Sequence, residues 1–288
     1  MIYISAAPTV APLASRQQDI ALATLSLTQS AGGFTARIER FRRFIPPLVI
    51  VLLWQAGSSA GLIPARSIAS PLTIIGTFWT LLASGELLQH LLVSLGRVSA
   101  GLAIGVTTGA ALALVAGLSK RGEDLVDAIM QMLRTMPFLA LVPLFILWFG
   151  IGETPKIALV ALGSAFPIYL TLFAGIRGVD AKLVEAAGVF GLSQRELIRQ
   201  VILPGALPSA LVGLRYSLGS AWLSLVIGEQ INASSGIGYL VMTARDFLRT
   251  DIIFVGLIVY ALLGLAADQL VRLIERSVLR WRPSFVKE

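Results

Sequence analysis

Side chains able to do covalent or redox chemistry are nearly missing from this 288-residue sequence, which has one histidine, His90, and no cysteine. The lack of Cys excludes disulfides, thiol nucleophiles and Cys-based metal sites. A lone His argues against a His-based metal centre or a nucleophile–His–acid set. There is no Gly-Lys dipeptide, hence no GxxxxGK[ST] phosphate loop and no ATP hydrolysis by that route. No catalytic residue, metal site or cofactor is therefore expected on this chain. The chemistry left is that of charge in apolar surroundings. Arg97, Arg215 and Glu229 lie in otherwise uncharged stretches. An ionisable group inside a membrane span is costly and marks a functional candidate, so these three are candidate residues of a pathway through the membrane. Arg215 lies roughly 13 Å along its helix from the start of the span, at about 1.5 Å per residue. Attraction of substrate, pairing with Glu229 and snorkelling to an interface are all open to it. Snorkelling is favoured for Arg97, and Glu229 closes its span where an interfacial residue is ordinary.

The elements that hold these residues follow from composition. Hydrophobic residues make up 56% of the chain and charged residues 14%, with a mean hydropathy of +0.82. A soluble domain carries about 25% charged residues, which excludes a soluble enzyme, a disordered regulator and a nucleic-acid-binding module as first readings. A membrane helix needs roughly 20 apolar residues. The uncharged runs predict six such helices, near 44–63, 90–117, 133–150, 156–176, 206–230 and 251–270. The run 67–85 is richer in Ser and Thr, and its Ser70-Pro71 start suits an N-cap followed by Pro. It is read as an outer-surface or partly buried helix. Gly101, Gly105 and Gly109 recur every four residues in the second span, a stripe that permits close helix packing, within the subunit more readily than at a dimer seam.

The net charge of +7 would suggest nucleic acid in a soluble protein. Here it acts as an orientation signal. Of 21 Lys and Arg outside the spans, 17 fall on alternate segments: the N-terminal tail, 118–134, 177–205 and the C-terminal tail. The positive-inside rule assigns those segments, and both termini, to the cytoplasm. A seventh span at 67–85 would put the N-terminal charges on the wrong side. Residues 1–43 have neither a basic n-region nor a long apolar core and are expected to be a poorly ordered cytoplasmic tail. Residues 44–288 then form one transmembrane domain.

The segment 177–205 is long for a connection between bundled helices, usually 2–8 residues. Asp180 can cap a helix from Ala181 to about Phe190, Gly191 suits the left-handed residue that ends it, and Ser193 with Glu196 forms a capping box for a second helix that Pro204 bounds. Leu183, Val184, Ala187, Phe190, Leu197 and Ile198 give this knob more apolar surface than a solvated loop needs, and such a surface usually meets a partner.

Glu185-Ala186-Ala187, then Gly191, then Val201-Ile202-Leu203-Pro204 resembles the EAA loop of ABC-importer permeases, departing only by Val201 in an Ile place. Leu147-Trp148-Phe149-Gly150-Ile151, Gln131-Met132-Leu133-Arg134 and Ser235-Gly236-Ile237-Gly238-Tyr239-Leu240 are similar to segments of bacterial aliphatic sulfonate permeases, with taurine, nitrate and bicarbonate permeases as close relatives. The resemblance covers nearly the whole chain after residue 44. It implies an all-α integral membrane protein, with the six transmembrane helices of the type I, MetI-like permease fold and a cytoplasmic coupling helix. Glu185, Ala186, Ala187 and Gly191 would couple to an ATPase, with Leu203 and Pro204 fixing the exit. The implied assembly is a permease homodimer in membrane lipid, two ATP-binding subunits that hold ATP and Mg, and a periplasmic or lipid-anchored substrate-binding protein, in the cytoplasmic (inner) membrane. An ion-coupled secondary transporter is the rival of another class. It would tend to show intramembrane carboxylates and inverted repeats, whereas Asp251 and Asp268 sit at span ends.

Overall fold

A computed structural model describes residues 45–64 and 66–279; the expected N-terminal tail, 1–43, lies outside them. The chain divides into two compact units at Ile63–Pro64. The described part of the first is α1 (Ile45–Ser59), an apolar helix of 15 residues, about 22 Å long.

In the second unit every described element is helical: α2 (Pro71–Ala83), α3 (Glu86–Leu118), α4 (Lys120–Thr135), α5 (Phe138–Phe149), α6 (Thr154–Arg177), α7 (Ala181–Val189), α8 (Gln194–Leu197), α9 (Leu203–Asn232), α10 (Ile237–Asp246) and α11 (Thr250–Val278). Ser70 caps α2, accepting a hydrogen bond from the Thr73 backbone N–H, and Ile74 and Leu81 are its buried face.

Each of the six expected spans has a helical counterpart, α1, α3, α5, α6, α9 and α11, and the third differs in form. Among the described residues, four helices are long and apolar enough by themselves to cross a membrane: α3, α6, α11 and the run Gln194–Ile231, with a fifth if α4 and α5 count together. The expected helix at 133–150 is broken, because α4 and α5 meet at a bend of 106°. Pro137 explains the break. A residue before proline is pushed out of the helical region, and Met136 is extended (φ −68°, ψ 133°). Pro137 interrupts the uncharged run and is the sequence signal of the kink, while the run itself reads as one helix. With 12 residues, α5 is about 18 Å long, short of the roughly 30 Å hydrocarbon layer.

Helix α6 lies between α3 and α9, and small residues on both sides let the backbones touch. A Cβ on Gly101 would sit 2.5 Å from Val160 Cβ, on Gly105 2.2 Å from Ala161 O, and on Gly109 2.4 Å from Ala165 O. On the other face, a Cβ on Gly213 would meet Thr171 Oγ1 at 2.0 Å and one on Gly175 would meet Ser209 Cβ at 2.5 Å. Between helices in lipid, such contact supplies the van der Waals attraction that water exclusion cannot. Ala113, Ala116, Met130, Tyr169, Leu172, Ile176 and Ala206 form the larger buried cluster.

Candidate coupling segment and buried charge cluster

At one end of the three-helix core the chain turns through 178–202. Asp180 caps α7 through the Lys182 backbone N–H, and Gly191 follows in the left-handed region (φ 75°). The Ser193–Glu196 capping box is complete. The Ser193 hydroxyl and backbone N–H both donate to the Glu196 carboxylate, at 2.6 and 2.8 Å. On α7, Ala187 is buried while Glu185 and Ala186 are exposed. Leu183, Val189 and Phe190 are 58%, 88% and 82% exposed, a strongly apolar surface with no covering element among the described residues.

Pro204 does not bound the second short helix. Helix α8 runs through a π-helical turn, Ile198–Ile202, straight into α9, and the Leu203 N–H donates to Ile198 O five residues back. Proline removes one backbone donor and crowds the preceding turn. A π-turn widens that turn and lets the helix pass through Pro204 unbroken. The coupling segment and the long span are therefore one continuous helix from 194 onward.

At the opposite end of the core the structure brings together charges that are far apart in sequence. Arg97 on α3 is 3% exposed, not snorkelling, and its Nη1 donates to Glu229 Oε1 of α9 at 2.7 Å. Its Nη2 donates to Glu153 Oε1 at 2.8 Å, and Lys156 Nζ lies 3.2 Å from the same oxygen. The Arg97 hydrogen bond holds the Glu153 pKa down at about 2. Glu229 is fully buried rather than interfacial. It accepts from Ser94 Oγ (2.7 Å), the Gly238 N–H (2.8 Å) and Tyr260 Oη (3.2 Å). Ser94 Oγ in turn accepts from the Ile237 N–H at 2.9 Å, and His90 Nδ1 from the Gly236 N–H at 3.1 Å. The cluster thus fastens the loop before α10 to α3 and α9. It also explains the glycines of Ser235-Gly236-Ile237-Gly238. Gly236 has φ 111°, and its Cβ would lie 2.3 Å from Glu229 Oε1; a Cβ on Gly238 would lie 2.6 Å from Glu229 Cβ.

Arg215 does not pair with Glu229. Its Nη2 donates to Glu275 Oε2 at 2.7 Å and its Nε lies 3.1 Å from Asp268 Oδ1, both on α11. Asp268 also accepts from Arg272 at 2.7 Å. Sequence reasoning missed Ser94, Glu153, Lys156 and Tyr260 as partners, since Arg97 and Glu229 are separated by 132 positions and no local spacing joins them. The one available signal was the Gly-x-Gly pattern at 236–238. No group of three or more metal-ligating side chains occurs among the described residues.

Residues 101–280 match the model of the binding-protein-dependent transport system inner membrane component family. The chain belongs to this family. The permease is 53% identical over 239 residues to a putative aliphatic sulfonates transport permease of Escherichia coli K12, covering 83% of this chain and 91% of that one. It is 48% identical over 239 residues to the corresponding Bacillus subtilis protein, with 83% and 87% covered. A taurine transport system permease of E. coli K12 is 33% identical over 268 residues, with 93% and 91% covered. Among solved structures, an amino acid ABC transporter chain aligns with a TM-score of 0.56 at 21% identity, over 69% of this chain and 96% of that one. An inward-facing methionine ABC transporter chain gives 0.52 at 20%, over 63% and 92%. These two establish the fold, MetI-type and all-helical among the described residues; the family model and the permease relatives make the chain an ABC-importer permease of the inner membrane.

Proposed function

We propose that the permease carries small organic anions, aliphatic sulfonates foremost, across the inner membrane, driven by ATP hydrolysed on separate subunits. The observation that carries the substrate class is the 53% identity spanning 91% of a relative named for aliphatic sulfonates. In this reading two copies form a homodimer about a two-fold axis. Two ATP-binding subunits, which hold ATP and Mg, dock on the α7 knobs. A binding protein delivers solute at the other face, in keeping with the family's binding-protein-dependent description. Glu185, Ala186, Ala187 and Gly191 shape the docking surface, and the exposed Leu183, Val189 and Phe190 supply its apolar area. The charge asymmetry of the loops supports placing that knob and both termini in the cytoplasm.

The test is growth. A bacterium deleted for its own sulfonate permease is expected to use an aliphatic sulfonate as sole sulfur source only when it carries this chain with its ATPase and binding protein. Growth on taurine but not on alkanesulfonates would move the substrate to that of the 33%-identical relative. Growth on neither would overturn the reading.

A further inference from the structure

Both arginines named as pathway candidates are held in ion pairs: Arg97 with Glu229 and Glu153, Arg215 with Asp268 and Glu275. A different arginine faces a cavity of about 600 Å³ between α4, α5, α6 and α9. We propose that Arg134 is the cation that meets the anionic head of the transported solute in this cavity. The proposal rests on the permease reading above and deepens it.

Depth is the first argument. Helix α4 climbs along α6: Glu123 pairs with Arg177 at the end of α6, and Asp127 accepts from Tyr169 Oη at 3.0 Å. Arg134 then shares the cavity wall with Phe166 and Pro167, at the middle of the 24-residue α6. In the sequence it counts as a loop charge. The break at Met136–Pro137 instead leaves it at an elbow halfway through the bundle. Irregular backbone is tolerated at that depth only where it is packed in protein or lines a cavity.

Availability is the second argument. The Arg134 side chain is exposed, and among the described residues it makes no hydrogen bond or ion pair. The same holds for the hydroxyls of Tyr216 and Ser220 on the facing wall. A free guanidinium with hydroxyl donors opposite suits a sulfonate or similar oxyanion. Phe138, Leu223 and Ile227 give the apolar wall that an alkyl tail would use. The volume falls within the about 300–1,000 Å³ of small-molecule sites.

The alternative role for Arg134 is structural, a cation at the C-terminal end of α4. The full complex of permease, ATPase and binding protein separates the two. The chain has no cysteine, so Arg134→Cys places one thiol on it, and labelling is read on the permease band. The expected result is uptake reduced about tenfold or more, the loss of one charged hydrogen bond. The thiol should react with methanethiosulfonates, and the transported anion should slow that reaction. A cationic ethylammonium reagent should restore much of the uptake, and the anionic sulfonatoethyl reagent should not. Arg134→Lys should retain more uptake than Arg134→Gln, and it carries the test if the cysteine variant fails to assemble. Wild-type uptake in Arg134→Gln, equal rescue by both reagents, or no protection by the anion overturns the proposal. If the wild-type complex takes up another anion but no sulfonate, the substrate reading fails and the Arg134 measurement is made with that anion. If it carries only neutral solutes, both fail.

Discussion

Glu229 shows what a single buried carboxylate demands of its neighbours. Taking a charge out of water is tolerated only when partners and hydrogen bonds replace the solvent. Here Arg97, Ser94, Tyr260 and the Gly238 N–H do so. Removing one partner leaves an uncompensated charge, so Arg97→Ala and Glu229→Ala are each expected to lower stability by about 3–5 kcal/mol. The double variant should lose less than the sum, as read by thermal unfolding in detergent; additive losses would deny the coupling. Gly236→Ala, at φ 111° and with Glu229 Oε1 in the way, should destabilise. Gly219→Ala, in a helix with open space around it, should be neutral or stabilise by up to about 1 kcal/mol. The exposed Glu153 sets a pH window. Its folded pKa of about 2 lies below the ordinary 4.5, so its contribution is complete above pH 4.5 and is lost as pH falls toward 2. Acidification from pH 7 to 5 should leave the Arg97–Glu153 contact intact. None of these partnerships was legible from spacing, because Arg97, Glu153 and Glu229 sit on three different elements. That Arg97 and Glu229 were charges in apolar stretches worth examining was legible; the need for glycine at 236 and 238 emerges only with the packing against Glu229.

At the scale of elements, caps were written plainly in the sequence, and the sharpness of the break at Pro137 was not. Asp180, Gly191 and the Ser193–Glu196 pair act where local hydrogen-bonding rules put them. The α4–α5 elbow was hidden because the charge-free run passes through it. Met136–Pro137 carried the signal, and it was outweighed by apolar length. Pro204 misled in the opposite sense, since a π-turn absorbs it. Two outcomes follow for the coupling segment. Gly191→Val forces a β-branched residue to φ 75°, costing about 1–2 kcal/mol; α7 should shift and ATP-driven uptake should fall, while membrane insertion persists. Glu185→Lys reverses an exposed charge that makes no intramolecular ion pair among the described residues. It should abolish uptake without changing the thermal stability of the isolated permease. Normal uptake in this variant with the ATPase bound would remove Glu185 from the coupling role.

For the whole molecule, composition alone separated a membrane protein from every soluble class, and the all-helical fold followed from it. The form of the third expected span did not, since the elbow at Met136–Pro137 divides it. The charge map also sharpens. Counting Arg134 with the α4–α5 elbow rather than with a loop leaves 16 of 20 loop charges on the segments that the positive-inside rule assigns to the cytoplasm, so the sequence argument for orientation keeps its force. The central claim is that ATP hydrolysed on partners docked at α7 drives anion passage through this chain. It is tested most directly by uptake of a radiolabelled alkanesulfonate into proteoliposomes that contain the permease, its binding protein and its ATPase subunits. Accumulation should require ATP and the ATPase subunits, and stop with vanadate. Uptake that persists without the ATPase subunits and follows an imposed proton or sodium gradient would contradict the account.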